Sequence, residues 1–211
     1  MGFNLRAMKE EQIKLAKKVI LRNDFEEIKY IAGISSTCTE KKIVSAIVVL
    51  DYSNLEQIEF KYSIKDLTMP SISGYGTYRS AEAIIEAYSL LNQKPDLIMF
   101  DGNGILHPRK IGVASHLGIL LDLPTIGVSR KMSCGIVDKG RILIQNDLRG
   151  YVLETKKNAK PVFVSPGHRI GFKKTQEIVE YTSKGNKLPV PLHLAHKIAV
   201  KMKKQLGTDL L

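Results

Sequence analysis

The residues best placed for chemistry begin at Asp101. The apolar run Pro95 to Phe100 is typical of a buried strand and ends at Asp101-Gly102-Asn103-Gly104. Open α/β sheets bind ligands at the carboxyl ends of their strands, and glycines let the backbone approach a ligand closely. With the basic loop His107-Pro108-Arg109-Lys110, this carboxylate suits Mg²⁺ and a phosphate. The alternative is an aspartate that only caps the next turn.

The spacing of apolar residues predicts the elements that must position this segment. In the first two thirds we predict a helix over Leu5–Arg22, strands over Ile28–Ile34, Lys42–Leu50 and Gln57–Ile64, a helix over Tyr78–Leu91, a strand over Pro95–Phe100, a helix over Ile111–Leu121 and a strand over Pro124–Ser129. The first three strands have short polar linkers, which suit antiparallel hairpins. The later strand–helix–strand run is typical of a parallel crossover. We therefore predict an α/β fold, a ribonuclease H-like mixed sheet of three antiparallel strands followed by parallel βαβ units, with flanking helices.

The last third continues the same pattern. It predicts strands near Arg141–Ile144, Tyr151–Thr155 and Pro161–Val164, a helix over Thr175–Ser183 and a final basic helix over His193–Gln205. No internal repeat, low-complexity tract or long linker divides the chain. We therefore expect residues 1–211 to form a single domain.

The overall charge points to a polyanionic partner. The 211 residues include 32 Lys and Arg against 21 Asp and Glu, a net charge of +11, as expected of a protein that neutralises phosphates. A solvated basic surface is the alternative. No apolar run reaches the length of about 20 residues that spans a bilayer, and no signal sequence or metal-ligand spacing of the two cysteines is present. We expect a cytoplasmic monomer with no membrane partner.

A family resemblance rests on several motifs. The stretch Gln93 to His116, which contains Asp101, resembles the central motif of the endonuclease V family. The likeness continues through Asp122–Ser129, Ser165–Arg169 and Leu188–His196. Upstream, Ile31-Ala32-Gly33 and Met69–Gly74 follow in the family's order, so the resemblance covers nearly the whole chain.

The resemblance implies a DNA-repair nuclease. Family members have a ribonuclease H-like fold and use Mg²⁺ or Mn²⁺ to nick DNA at the second phosphodiester bond 3′ to deoxyinosine; some act on inosine in RNA. The altered base is flipped into a pocket. Matched by position, Asp101 is the metal ligand, and His196 approaches the metal as a second catalytic residue. The base pocket would be lined by Gly74, Gly76, Gly102, Gly104, His107 and Gly112. We expect contacts to the nucleic-acid backbone from Arg109, Lys110, Arg130, Lys131, Lys197 and Lys201.

Two metal-binding positions depart from the family pattern. Ser35 stands where the family has its first-strand Asp, and Ser80 where it has a Glu. A serine hydroxyl is neutral and a poor ligand for a hard cation. Glu82 lies on another helical face than Ser80, and the spacing recommends neither Glu40 nor Asp51 as a substitute.

Smaller departures lie around the site. Arg130 replaces a residue that is usually Lys, which keeps the positive charge. Ser71 replaces the wedge aromatic, with Tyr75 as the nearest substitute. Structural roles are expected for the other histidines: a side-chain hydrogen bond within the helix for His116, ordering of a turn for His168, and a solvated helix face for His193.

These departures lead to three hypotheses. In the first, the protein binds DNA or RNA, including inosine-containing strands, and its cleavage is impaired or lost, so that no metal is needed. In the second, it is a slow or altered inosine-directed endonuclease, with Mg²⁺ or Mn²⁺ held by Asp101, water and phosphates. In the third, it is a non-catalytic protein-interaction module. We favour the first, because the base-pocket residues are present while two carboxylates are not.

Overall fold

A single mixed sheet organises the chain. The computed structural model describes residues 3–208. Its helices and strands are, in order, α1 (Leu5–Ala16), β1 (Tyr30–Cys38), β2 (Lys42–Asp51), β3 (Gln57–Asp66), α2 (Gly76–Ser89), β4 (Leu97–Asp101), α3 (Val113–Leu121), β5 (Thr125–Ser129), β6 (Ile136–Asp138), β7 (Arg141–Ile144), β8 (Asp147–Leu153), β9 (Val162–His168), α4 (Phe172–Ser183) and α5 (Val190–Thr208). The nine strands form one sheet in the order β3-β2-β1-β4-β5-β9-β8-β7-β6.

The strand directions confirm the predicted fold class. β1, β2 and β3 are antiparallel neighbours, whereas β1, β4 and β5 run parallel at the centre. The remaining four strands extend the sheet with antiparallel pairs. Parallel strands place their carboxyl ends at one edge of a sheet, so the ends of β4 and β5 lie side by side there. None of the described helices is long and apolar enough to cross a bilayer.

Helices cover both faces of the central strands, which explains the continuous apolar run of β4. Leu97 and Met99 point into a core that also contains residues of α4 and α5. Ile98 and Phe100 point into a second core with residues of α2 and α3. A strand buried on both faces needs apolar residues at every position rather than at every second one.

Several elements differ from their predicted bounds, and one strand was not predicted. α1 ends at Ala16 rather than at Arg22, and beyond it the backbone N–H of Ile20 donates to His168 Nδ1 at 3.3 Å. β1 begins at Tyr30 and continues to Cys38, so Ser35 lies inside the strand and not in the linker after it. β6 was not predicted, because three residues are too few to show a period.

A polar cluster fastens α1 to the loops around the carboxyl edge of the sheet. The carbonyl oxygen of Gly74 accepts hydrogen bonds from Gln12 Nε2 at 2.9 Å, Arg109 Nη2 at 2.8 Å and His107 Nε2 at 3.2 Å. Arg109 Nε also donates to Gln12 Oε1 at 2.6 Å. Gly74 has a φ of +79°, a conformation that L side chains rarely adopt. The cluster therefore fixes the loop before α2 against the loop after β4.

His107 is neutral in this cluster. The backbone N–H of Arg109 donates to its Nδ1 at 3.2 Å, so the ring proton is on Nε2 and points to the Gly74 carbonyl. Burial lowers the pKa of His107 from 6.5 to about 4; the Arg109 charge acts in the same direction and the Gly74 hydrogen bond opposes both. Between those two pH values the unfolded chain binds a proton that the folded chain does not.

We predict that His107 makes the protein less stable in acid. The free energy of unfolding should rise with pH from about 4 to 6.5 and stay level above, with His107 contributing about 3 kcal/mol. His107→Gln keeps a hydrogen-bond donor but does not titrate in this range. Urea unfolding of both proteins at several pH values measures the difference. Parallel pH profiles would show that the pKa of His107 is not lowered.

Candidate functional site

The Asp101 carboxylate is the centre of a hydrogen-bonded cluster at the carboxyl end of β4. Parallel pairing of β1 with β4 places Ile34 beside Phe100, so Ser35 and Asp101 are the next neighbours along the two strands. Ser35 Oγ donates to Asp101 Oδ2 at 3.0 Å, and Arg130 Nη2 donates to the same oxygen at 2.7 Å. The carboxylate thus has one hydroxyl donor and one cationic donor, and its side chain is only 14% exposed.

His196 joins this cluster from α5. Its Nδ1 lies 3.3 Å from Ser35 Oγ. Because the Ser35 proton goes to Asp101, His196 Nδ1 is the donor, which gives a relay from imidazole to hydroxyl to carboxylate. Burial lowers the pKa of His196; the Arg130 charge adds to this, and the Asp101 charge opposes it. The ring is therefore neutral at physiological pH.

A glycine in β1 positions α5. A Cβ at Gly33 would lie 2.2 Å from the carbonyl carbon of Pro191, so only glycine permits the observed packing of α5 on β1. His196 lies five residues further along the same helix. Gly33 therefore sets how near the imidazole comes to Ser35.

A cavity of about 350 Å³ opens beside Asp101. Its lining includes five of the six predicted base-pocket residues, namely Gly74, Gly76, Gly102, His107 and Gly112. Apolar walls come from the face of the sheet that α2 and α3 cover, with Ile34, Ile84, Phe100 and Val113, and from Ile111. Ser80 also lines the cavity, where its hydroxyl donates to the Gly76 carbonyl of its own helix at 3.2 Å. The cavity has room for a nucleobase and a mostly apolar wall to stack on.

The sixth predicted residue, Gly104, lies behind the cavity and supports it. A Cβ there would be 2.0 Å from the carbonyl oxygen of Pro166, and one at Gly112 would be 2.2 Å from that of Asn103. The Gly104 N–H donates to Ser165 Oγ at 2.9 Å, and the Ile105 N–H to Pro166 O at 2.8 Å. The Ser165–Arg169 motif therefore holds the loop that follows Asp101.

The residues predicted to contact the nucleic-acid backbone differ in the bonds that they make within the protein. Arg109 is held by Gln12 and Gly74, and Lys110 pairs with Asp147 at 2.6 Å. Arg130 is paired with Asp101, whereas Lys131 is exposed beside it. Lys197 and Lys201 are exposed on α5, where they line a shallow depression together with His196. A contact of these residues with nucleic acid stays a prediction.

None of the acidic substitutes considered for the missing carboxylates is near Asp101. Glu82 Oε1 lies 3.7 Å from Lys65 Nζ, so this carboxylate faces Lys65. Asp51 pairs with Tyr30 at the far end of β1, five positions or about 16 Å along the strand from Ser35. Glu40 lies exposed in the turn after β1.

The remaining singled-out residues either make contacts elsewhere in the fold or face solvent. His168 Nδ1 orders the chain after α1, and His193 is exposed. His116 packs edge-on against Tyr78, but its Nδ1 is buried without a hydrogen-bond partner within residues 3–208, so the expected side-chain bond is not formed at that atom. Tyr75 lies beneath the Arg109 guanidinium, 4.6 Å from ring centre to Cζ.

Sequence reasoning missed two residues of this region. Gln12 is 1% exposed on α1, four residues after Met8, so helical spacing would have placed it on the inner face. Ser36 lines the cavity two positions after Ile34, as the alternation along a strand requires.

The donor set at Asp101 does not fit the magnesium site that the family resemblance implies. Mg²⁺ is held in proteins by one or two carboxylates together with water and phosphate oxygens. Here the neighbouring positions carry the hydroxyls of Ser35 and Ser80, and a guanidinium already binds the one carboxylate. In the described part of the chain, no three His, Cys, Asp or Glu side chains are grouped to hold a metal ion.

Comparisons with known proteins agree with one another. The family model for endonuclease V matches residues 13–197. Endonuclease V of Dictyoglomus thermophilum is 41% identical over 199 residues, which cover 89% of this chain and 87% of the relative.

Solved structures give the same assignment. The endonuclease V of Streptomyces avermitilis superposes with a TM-score of 0.88 at 27% identity, covering 98% of this chain and 96% of that one. The Ciona intestinalis enzyme, bound to a 23mer DNA containing an inosine followed by a ribo-adenosine, also gives 0.88 at 27% identity, covering 98% of this chain and 100% of that one. The sheet and its flanking helices are thus the ribonuclease H-like fold of these structures, and the chain belongs to the endonuclease V family.

Proposed function

We propose that this protein binds inosine-containing nucleic acid in the manner of a DNA-repair endonuclease V and that its cleavage is impaired or lost. One observation carries the proposal. The Asp101 carboxylate is bound by Arg130 and Ser35, and among the described residues that line the open cavity next to it, Asp101 is the only acidic one. Metal-dependent cleavage in the family needs negative charge at this point. Binding of a base in the cavity does not need that charge.

Three observations support the binding half of the proposal. The cavity is of a size for one base and opens beside the strand-end carboxylate. The net charge of +11 favours a phosphate backbone as partner. The Ciona relative was solved with inosine-containing DNA bound. Whether DNA or RNA is preferred is an outcome of the binding assay below.

A slow or altered endonuclease is the second candidate, because Asp101 retains its place at the carboxyl end of β4. Mg²⁺ or Mn²⁺ would then be held by this one carboxylate with water and phosphates. A protein-interaction module ranks third, since neither half of the chain resembles a partner-binding appendage. The proposal takes the protein to be a cytoplasmic, single-domain monomer, in keeping with the single sheet that runs through the described residues.

We predict binding without robust nicking. End-labelled inosine-containing duplex DNA, single-stranded DNA and RNA are each offered with Mg²⁺ or Mn²⁺, beside matched strands that lack inosine. Inosine strands should bind more tightly than their matched controls and stay intact over many binding lifetimes. Metal-dependent nicking at a fixed position 3′ to inosine, abolished by Asp101→Ala, would establish the second candidate instead.

We predict that restoring the carboxylates raises cleavage. Ser35 Oγ is 3.0 Å from Asp101 Oδ2 and Ser80 lines the same cavity, so Ser35→Asp with Ser80→Glu brings two negative charges to it. Metal-dependent nicking of an inosine strand should increase by about tenfold or more. Gln57→Glu with Ser89→Glu, both at exposed positions, adds the same charge elsewhere and should change nothing. No increase would show that more than these two ligands separates this site from an active one.

We predict a steep salt dependence that involves α5. Each neutralised phosphate contributes about 0.7–0.9 to the slope of log affinity against log salt. Lys197→Gln with Lys201→Gln should therefore lower the slope by about 1.5. The control is Lys173→Gln with Lys174→Gln, which removes the same charge from the start of α4. This helix follows the end of β9, which pairs with the start of β5, so the control lies away from the carboxyl end of β5. An equal loss from both pairs, or affinity that is flat from about 50 to 200 mM salt, would exclude α5 as the contact surface.

A further inference from the structure

Arg130 holds a permanent positive charge beside Asp101. In the described cluster of Ser35, Asp101, Arg130 and His196, Asp101 is the one carboxylate. Its Nη2 lies 2.7 Å from Asp101 Oδ2, and a guanidinium does not lose its proton in proteins. The Asp101 side chain is 14% exposed, so an opposite charge close by is needed to offset its lost hydration. The Arg130 side chain stays 41% exposed, so the guanidinium can face a bound strand while it holds Asp101.

The backbone after β5 directs Arg130 to this place. β5 runs parallel to β4, with Asp101 paired to Val128, and Arg130 follows two residues later. Ser129 Oγ donates to the Lys131 carbonyl at 2.8 Å and accepts from the Lys131 N–H at 3.3 Å. This closed turn sends Arg130 back over the strand ends and leaves Lys131 exposed. The Arg130–Asp101 ion pair therefore follows from the pairing of β4 with β5 and from the turn at Ser129–Lys131.

The cluster is electrically complete without a metal ion. Arg130 balances Asp101, Ser35 is neutral, and Ser80 is neutral and bonded to its own helix. A divalent cation would have to share this carboxylate with the guanidinium and would gain no second carboxylate from Ser35 or Ser80. Hard cations are held by the summed negative charge of several oxygen ligands, which this cluster does not offer.

We infer that Arg130 takes the place of the divalent cation in this site, so that the protein binds phosphodiester strands without Mg²⁺ or Mn²⁺. The inference rests on the proposed function, because it states how the same site meets its strand. A phosphate that approaches Asp101 meets the exposed part of the guanidinium, in a geometry that suits paired hydrogen bonds. The metal requirement of binding and the requirement for Arg130 can then be measured separately.

The first experiment measures metal binding by the protein alone. Mn²⁺ is titrated into the wild type and followed by electron paramagnetic resonance, with thermal unfolding as the check of folding. We expect no site tighter than about 1 mM in the wild type. Ser35→Asp with Arg130→Gln should create a site at least about tenfold tighter, and adding Asp101→Asn should remove it. A wild-type site tighter than about 0.1 mM that Asp101→Asn abolishes would overturn the inference.

The second experiment measures strand binding by fluorescence anisotropy, in EDTA and in Mg²⁺ at matched ionic strength. Wild-type affinity for an inosine-containing single strand should differ by less than about twofold between the two buffers. Arg130→Gln should weaken it by about fivefold or more, Arg130→Lys by less, and the control Lys173→Gln, an exposed residue of α4, by less than about twofold. Affinity that needs Mg²⁺, or equal losses in Arg130→Gln and Lys173→Gln, would overturn the inference. Equal affinity for strands with and without inosine would instead overturn the proposed function, and the Mn²⁺ titration would still decide the inference.

Discussion

A partly buried carboxylate at the end of the central strand requires a positive charge, and the site is built around that requirement. The Asp101 side chain is 14% exposed, so it has lost part of its hydration, and an opposite charge nearby offsets that loss. The β1–β4 register supplies Ser35, and the turn after β5 supplies Arg130. α5 adds a neutral His196 behind Ser35. Because Asp101 is the one carboxylate of this cluster, the guanidinium of Arg130, which belongs to the chain itself, is the simplest partner for its charge.

Close backbone packing holds Asp101 in place. The loop after β4 touches β5 at Gly127, where a Cβ would lie 2.2 Å from the Gly104 nitrogen. It touches β9 at Gly104, again at a distance that excludes any side chain. Packing of this density leaves no space that a substituted residue could relax into. The contact at Gly127 also involves Gly102 and Asn103, which line the cavity, so this part of the cavity wall depends on the sheet.

The sequence predicts the sheet and Asp101 better than the contacts of the site. An unbroken apolar run that ends in Asp-Gly indicates a buried strand with a carboxylate at its end, and β4 is such a strand. Arg109 was expected to face phosphates, yet it binds Gln12, which is 97 residues away in sequence. Local periodicity carries no information on a pairing at that separation. Ser35 and Ser80 were located only by comparison with a family pattern, because a serine in a strand or helix has no signal of its own.

Under the proposed function, binding and cleavage depend on different side chains, so that one can persist without the other. The Gln12, Gly74, His107 and Arg109 cluster fixes one end of the cavity. Asp101 lines another part of it and is bound by Arg130 and Ser35, with His196 next to Ser35. Most residues of the cluster around Gly74 also hold α1 on the sheet. Their contribution to the stability of the fold is therefore enough to explain their presence. Gly76 is different. It lines the cavity, yet a Cβ added there would meet no atom within 4 Å. None of the described residues around Gly76 requires a glycine there. The space that it leaves is useful only to something that enters the cavity.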